Sequence, residues 1–443
     1  MKTVAYHNLG CKVNAYEMDV MLQALREQGY QIVPFEQKAD IYLVNTCTVT
    51  NIADRKSRQM LHRAKKTNPD GLVIAIGCYV QADTCAVAAD SAVDLLIGNN
   101  RKKDLVNILE NYLSGVEQES VIDINHTQEY EEMRLTATQE HTRAYIKIQD
   151  GCNQFCTYCM IPYARGRVRS RRKSDVIEEI CGLVKAGYQE FVLTGIHISS
   201  YGIDCTKKQG ESLIELLKEI DEIEGVKRIR IGSLEPRIIT KEFVNSLTQL
   251  QHLCPHFHLS LQSGCETVLK RMNRHYTPEE YLESVTLLRN AFLHPAITTD
   301  VIVGFPGETQ AEFDCTRQFV ETIQFYEMHL FKYSKRKGTK AAVMPNQVSE
   351  EIKVHRSASL QAIDEIASKA FRTYYLGKMV EVLFEEKRRI GEQDYWIGHT
   401  KEYVKVAVAA QQIGTIAPEG LQNRLILGKI KDFLNHDILL MDL

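Results

Sequence analysis

The chain has 443 residues, 44% hydrophobic and 25% charged, with a formal net charge of -3. That length predicts two or three cores rather than one, the composition excludes a disordered chain, and the near-neutral balance excludes nucleic-acid binding by overall charge, leaving only local basic patches. The N-terminal MKTVAYHNLGCKVN lacks a basic region followed by an apolar run, and no stretch approaches the ~20 apolar residues of a membrane span. A soluble, cytoplasmic protein is expected, in which a set of twelve cysteines points to metal binding or catalysis rather than disulfides, with Cys85, Cys181, Cys205, Cys254, Cys265 and Cys315 left as ordinary packing or surface residues.

The first segment, residues 1–135, holds three short apolar, β-branched runs: TVAYHNLG, IYLVNTC and LVIAIGC. Each is followed by a helical pattern, which predicts an α/β domain with a parallel sheet. Cys11, Cys47 and Cys78 each stand just past one of these strands. Carboxyl ends of parallel strands form the ligand-binding edge of such sheets, so three cysteines distant in sequence are expected to meet and hold metal. Inert packing is the alternative, because free cysteine behaves as a small hydrophobe. A basic run, RKSRQMLHRAKK (55–66), offers one local patch for RNA.

A charged stretch at 127–143 breaks the periodicity and reads as a linker into a second domain, taken as 136–370. Six strand-like runs follow, at 144–149, 190–195, 227–233, 256–262, 297–304 and 326–334, the first five each succeeded by a helical pattern. This predicts a partial (βα)6 barrel, short of the eight-unit form and with a lateral gap suited to a macromolecular substrate. His256 and His258 alternate on one predicted strand, and each reads more readily as a satisfied core histidine. The last segment, 371–443, alternates as strands do and predicts a small β-barrel that binds RNA or docks protein. Its ten Lys plus Arg and ten Asp plus Glu give no charge footprint that decides between them.

The chemistry concentrates in GCNQFCTYC, where Cys152, Cys156 and Cys159 stand in C-x3-C-x2-C spacing directly after the first barrel strand. A structural zinc site is closed by four ligands and usually built from paired C-x2-C knuckles, so zinc fits poorly. An iron-sulfur cube held by three thiolates leaves one iron open to bind a cofactor or substrate. The run RGRVRSRRK follows, in which Arg165, Arg167, Arg169, Arg171 and Arg172 are candidates for phosphate or carboxylate contacts.

With LGCKVNAYE, NTCTVTNIADRKSRQ, IGCYVQ, LTGIHISSYG, RIGSLEP, HLSLQSG, RMNRHYTPEEY and VIVGFPGET, the cysteine loop resembles the radical S-adenosylmethionine methylthiotransferases over essentially the whole chain. The resemblance implies a radical domain on a 4Fe-4S cluster held by Cys152, Cys156 and Cys159. It also implies a second 4Fe-4S cluster on Cys11, Cys47 and Cys78 that carries the sulfur to be inserted, two S-adenosylmethionine molecules per turnover, and a C-terminal TRAM barrel. Thr194 and Gly195 are then expected near the methionine moiety, Ser233 and Glu235 near the ribose, with Gln262 and Gly304 as further cofactor contacts. The LGCKVN form is most similar to the branch that acts at carbon 2 of threonylcarbamoyladenosine beside the tRNA anticodon. Branches acting on isopentenyladenosine or on a ribosomal-protein aspartate are the same-chemistry alternatives, and a zinc-containing RNA-binding protein is the alternative of another class. An electron donor of flavodoxin or ferredoxin type, a sulfur source and a monomeric state complete the expectation. The chain departs from the family in YSKRKGTKAA (333–342), which lacks the proline expected after the serine, so no substrate role is carried over to that loop.

Overall fold

The computed structural model describes residues 2–136, 142–205, 212–413 and 420–443. The N-terminal segment forms a five-stranded parallel sheet from β1 (Thr3–Asn8), β2 (Gln31–Val33), β3 (Ile41–Thr46), β4 (Leu72–Gly77) and β5 (Leu95–Ile97), in the order β2-β1-β3-β4-β5. The two central strands are buried on both faces, as their continuous apolar runs require. Helix α1 (Lys12–Glu27) follows β1, and its buried stripe of Tyr16, Met18, Met21, Leu22 and Leu25 joins a core continuous with the barrel. Helix α2 (Asn51–Thr67) follows β3, its first turn capped by the Thr50 side chain, which accepts from the Ala53 N–H. Helix α3 (Cys78–Ala82) starts directly at the end of β4.

The stretch read as a linker is pinned where it is described. Met133 and Leu135 are buried, the Tyr16 hydroxyl donates to the Met133 carbonyl at 2.6 Å, and the Leu135 N–H donates to Glu179 at 2.7 Å. Residues 137–141 lie outside the described residues. Next come β6 (Arg143–Asp150), the two-residue β7 (Arg169–Ser170), β8 (Glu190–Gly195), β9 (Arg228–Ile231), β10 (His256–His258), β11 (Ala296–Val303) and β12 (Glu327–Lys332). β7 is an antiparallel edge on β6; the other six are parallel neighbours in chain order, β9 and β10 being joined by the bridges Ile229–Leu253 and Leu234–Leu259. The partial barrel of six units is therefore present. Several connecting helices begin with a capping box, Thr277 with Glu280 and Thr309 with Glu312 among them.

The C-terminal barrel is closed, in the order β13-β14-β15-β17-β16, from β13 (Met379–Ile390), β14 (Gln393–His399), β15 (Lys405–Ala409), β16 (Arg424–Phe433) and β17 (Leu439–Asp442). It starts later than the boundary at 371: Phe371 belongs to the 24-residue helix Glu350–Thr373, where its ring stacks on His294 with centroids 4.1 Å apart. Arg228 donates to the His399 carbonyl at 2.8 Å and Arg230 to the Lys401 carbonyl at 2.9 Å, while Tyr403 lies under the Arg230 guanidinium. Arg143, Arg228 and His256 open their strands, so this barrel seats at the amino ends, opposite the cysteine loop.

Candidate active site

Each cysteine trio is built by backbone geometry. After β6, Gly151 turns with φ +70°, and a side chain there would run into the Arg167 carbonyl, so glycine is required. Cys152 is buried, while Cys156 and Cys159 are half-buried. The Gln154 N–H points at the Cys152 sulfur (3.5 Å), the Ile161 N–H at that of Cys159 (3.4 Å), and Arg274 at that of Cys156 (3.5 Å). Burial pushes the Cys152 thiol up to about 11 and that of Cys159 to about 12. Three thiols facing N–H donors and a guanidinium suit the anionic sulfur shell of an iron-sulfur cluster, whose potential such hydrogen bonds tune.

A cavity of about 140 Å³ opens on this loop, lined by the three cysteines with Ser233, Glu235, His197, Ser260 and Arg274 among others. Ser233 and Glu235, the residues expected near the ribose, line this cavity. Burial raises the Glu235 carboxyl, but the facing His197, Arg274 and Arg237 outweigh it and leave it ionised below its usual range. Thr194 and Gly195 close β8 just before Ile196 and His197, which reach the lining; Thr194, Gly195, Gln262 and Gly304 themselves lie off it. Gln262 holds φ +65° beside β11, and Gly304 donates its N–H to Glu308 at 2.7 Å. His197 lies in LTGIHISSYG and Arg274 in RMNRHYTPEEY, and only the convergence of their loops on the cavity singles them out.

On the N-terminal sheet, Cys11 caps α1, Cys47 follows β3 and Cys78 opens α3, so all three occupy the carboxyl edge. Gly10, at φ +108°, packs so closely that an added Cβ would stand 3.2 Å from that of Cys47. Burial first, then the neighbouring Cys78 and Cys11, push the Cys47 thiol up to about 12. The Asn99 amide and the Arg165 Nε point at the Cys78 sulfur, at 3.5 and 3.3 Å.

Arg165 corrects the expectation for the arginine run. Arg165, Arg169 and Arg171 are 0%, 1% and 1% exposed, so they do not face RNA phosphates. Arg165 spans both domains, donating to Glu17 at 2.8 Å, to Asp150 at 3.1 Å and to Asn14 at 2.6 Å. Glu17 also takes Lys147 at 2.7 Å and pairs with Lys102. Burial pushes both carboxyls up, but these cations more than reverse it and keep Glu17 and Asp150 ionised. Arg169 approaches Asp150 at 3.7 Å, and Arg171 pairs with Glu179. Arg167 is half-buried and Arg172 exposed.

Comparison with known proteins agrees with this layout. The Radical SAM superfamily matches residues 146–320, and the family described as "Uncharacterized protein family UPF0004" matches residues 3–98. The "Threonylcarbamoyladenosine tRNA methylthiotransferase MtaB" of Bacillus subtilis (strain 168) is 43% identical over 92% of this chain and 90% of its own. The chain belongs to the MtaB-type methylthiotransferase family. The protein of the same name from Aquifex aeolicus is 39% identical over 88% of this chain and 95% of its own. A "tRNA-2-methylthio-N(6)-dimethylallyladenosine synthase" of Moorella thermoacetica is 36% identical over 87% of each. In fold, the chain is similar to the radical S-adenosylmethionine methyltransferase TsrM from Kitasatospora setae, with a TM-score of 0.59 and 14% identity over 77% of both chains. This member of the family is an enzyme that uses a 4Fe-4S cluster and S-adenosylmethionine. Among the described residues no helix is long and apolar enough to cross a membrane.

Proposed function

We propose that the protein is a tRNA methylthiotransferase that inserts a methylthio group at carbon 2 of threonylcarbamoyladenosine next to the anticodon. The observation that carries the reading is the Arg165 bridge, which ties a second thiol trio to the radical loop in one buried network. A single-cluster radical enzyme has no use for Cys11, Cys47 and Cys78 held at that edge.

Cys152, Cys156 and Cys159 would hold the radical cluster and Cys11, Cys47 and Cys78 a second 4Fe-4S cluster, with two S-adenosylmethionine molecules used per turnover. When bound, these groups supply a 5'-deoxyadenosyl radical for an aromatic C–H that no acid or base removes readily, and the sulfur to replace the hydrogen. The chain's own residues position and exclude. Glu235, ionised and facing His197, accepts hydroxyl hydrogens of a bound nucleoside, and Ser233 and Ser260 add neutral hydrogen bonds. Arg274 balances the negative charge of the loop, and Tyr158, packed on Phe305 at 6.3 Å, shields it from water. The RNA surface is α2, where Arg55, Lys56, Arg63 and Lys66 share one exposed face beginning beside Cys47. A target base splayed from a single-stranded loop needs no duplex melting to reach the site. A flavodoxin or ferredoxin-like reductant and a sulfur source act with the enzyme in the cytoplasm.

The test is mass spectrometry of nucleosides after reaction of anaerobically reconstituted protein with S-adenosylmethionine and a reductant. Transfer RNA bearing threonylcarbamoyladenosine gains a methylthio group, and Cys47→Ala and Cys156→Ala each abolish it. Product on isopentenyladenosine or on a ribosomal protein instead would reassign the substrate.

A further inference from the structure

Away from the cysteine loop, three barrel strands bring a second polar set together. His258, Asp300 and His329 offer ring nitrogens and a carboxylate oxygen that all lie within 4.8 Å of one another. Register explains the meeting: His258 stands opposite Thr298, and Asp300 opposite His329, so alternation turns all three to the same face of β10, β11 and β12. That face is the inner one, because Thr299, Val301 and Val303 on the other are fully covered.

The histidines are held differently. His258 Nδ1 lies 3.1 Å from the Thr298 hydroxyl and Nε2 3.4 Å from Asp300, which fixes the ring. The His329 ring is exposed, stacks on His258 with centroids 5.7 Å apart, and has no hydrogen-bond partner among the described residues. Ser260, two residues past His258 and thus about 7 Å further along the strand, lines the cavity at the cysteine loop. The trio therefore begins two residues before a cavity-lining serine, a span that a substituent several bonds long can cover.

We propose that His258, Asp300 and His329 form the subsite for the threonylcarbamoyl side chain, and so select the modified adenosine; this rests on the tRNA reading above. The chemistry matches group by group. The substituent's carboxylate accepts from the His329 N–H, and its hydroxyl or ureido N–H donates to Asp300, whose position His258 secures. An isopentenyl group would cover the same side chains without offering them a single partner, and a site built to hydrogen-bond rejects such an analogue strongly.

The test measures binding of anticodon stem-loop RNAs carrying threonylcarbamoyladenosine, isopentenyladenosine or unmodified adenosine to wild-type protein, His329→Phe and Asp300→Asn. Iron content and thermal melting report whether each variant is intact; His329, being exposed, can be replaced without opening the core. Wild type prefers the threonylcarbamoyl RNA, and each variant loses about 10- to 100-fold of that preference while its affinity for unmodified RNA stays constant. An unchanged preference in both variants, or equal weakening on all three RNAs, would overturn the subsite. So would a cobalt(II) titration that fills one site in wild type and none in His329→Phe, which would make the trio a cation site. Failure of the wider reading looks different: wild type would then give no methylthio product on threonylcarbamoyladenosine at all.

Discussion

The guanidinium of Arg165 touches Glu17, Asp150, Asn14 and the Cys78 sulfur, and none of these contacts is open to water. Removing one partner from such a set leaves the others charged and unpaired, at a cost of about 3–5 kcal/mol. Arg165→Gln is accordingly expected to lower the denaturation midpoint clearly, whereas exposed Arg172→Gln leaves it within error; equal midpoints would refute the bridge. The buried thiols give a second expectation. Their folded values lie above the ordinary thiol value of ~8.5, with Cys152 near 11 and Cys47 and Cys159 near 12. A raised value means the stabilisation is complete below the unfolded thiol's pKa and is lost as pH rises from there toward 12. Apoprotein should thus melt at progressively lower temperature above pH ~8.5. Ligation needs thiolates, so cluster assembly should release protons and proceed faster at pH 8.5 than at pH 7. A reconstitution rate independent of pH would count against the buried thiols as ligands.

Among the elements, α2 carries the surface prediction. Lys56 and Lys66 are exposed and have no ion-pair partner among the described residues, while Arg63 reaches Glu36 only at 3.4 Å. Lys56→Ala and Lys66→Ala should each raise the KM for tRNA and reduce the salt slope of RNA binding by about one unit. Iron content should not change, and unaltered salt dependence would move the RNA surface elsewhere. The two basic runs differ in exposure for a physical reason. The exposed charges of α2 recur at helical spacing, which is a local pattern. The partners that bury Arg165 and Arg171 are Glu17, Asp150 and Glu179, brought in by tertiary packing, so a local charge count read those residues as a solvated face. The three strands leading to Cys11, Cys47 and Cys78 are visible because short apolar runs rich in β-branched residues mark a buried strand. β2 and β5, three residues each, are too short to show a period, and the sequence around Phe371 continues a helix whose pattern the following strands mask.

At the scale of the whole molecule, the N-terminal sheet and the barrel share one hydrophobic core and are fastened again at the departing loop. Arg336 donates to Asp54 at 2.6 Å, to Asn51 at 2.7 Å and to Thr48 at 2.5 Å, on the segment that carries Cys47. That loop is a fastener between the two cysteine sites. Arg336→Ala should leave 5'-deoxyadenosine formation largely intact and lower methylthio product about tenfold, roughly 1.4 kcal/mol, as counted by chromatography of both products; a parallel fall in the two would contradict the role. The two cysteine trios, joined through the Arg165 network, would each hold a 4Fe-4S cluster, and metal analysis reads this out. Reconstituted wild type should contain about eight iron and eight sulfide per chain, falling to about four of each when Cys152, Cys156 and Cys159 are all replaced by alanine, and again to about four when Cys11, Cys47 and Cys78 are. Zinc without sulfide, or full iron retained after loss of the N-terminal trio, would contradict it.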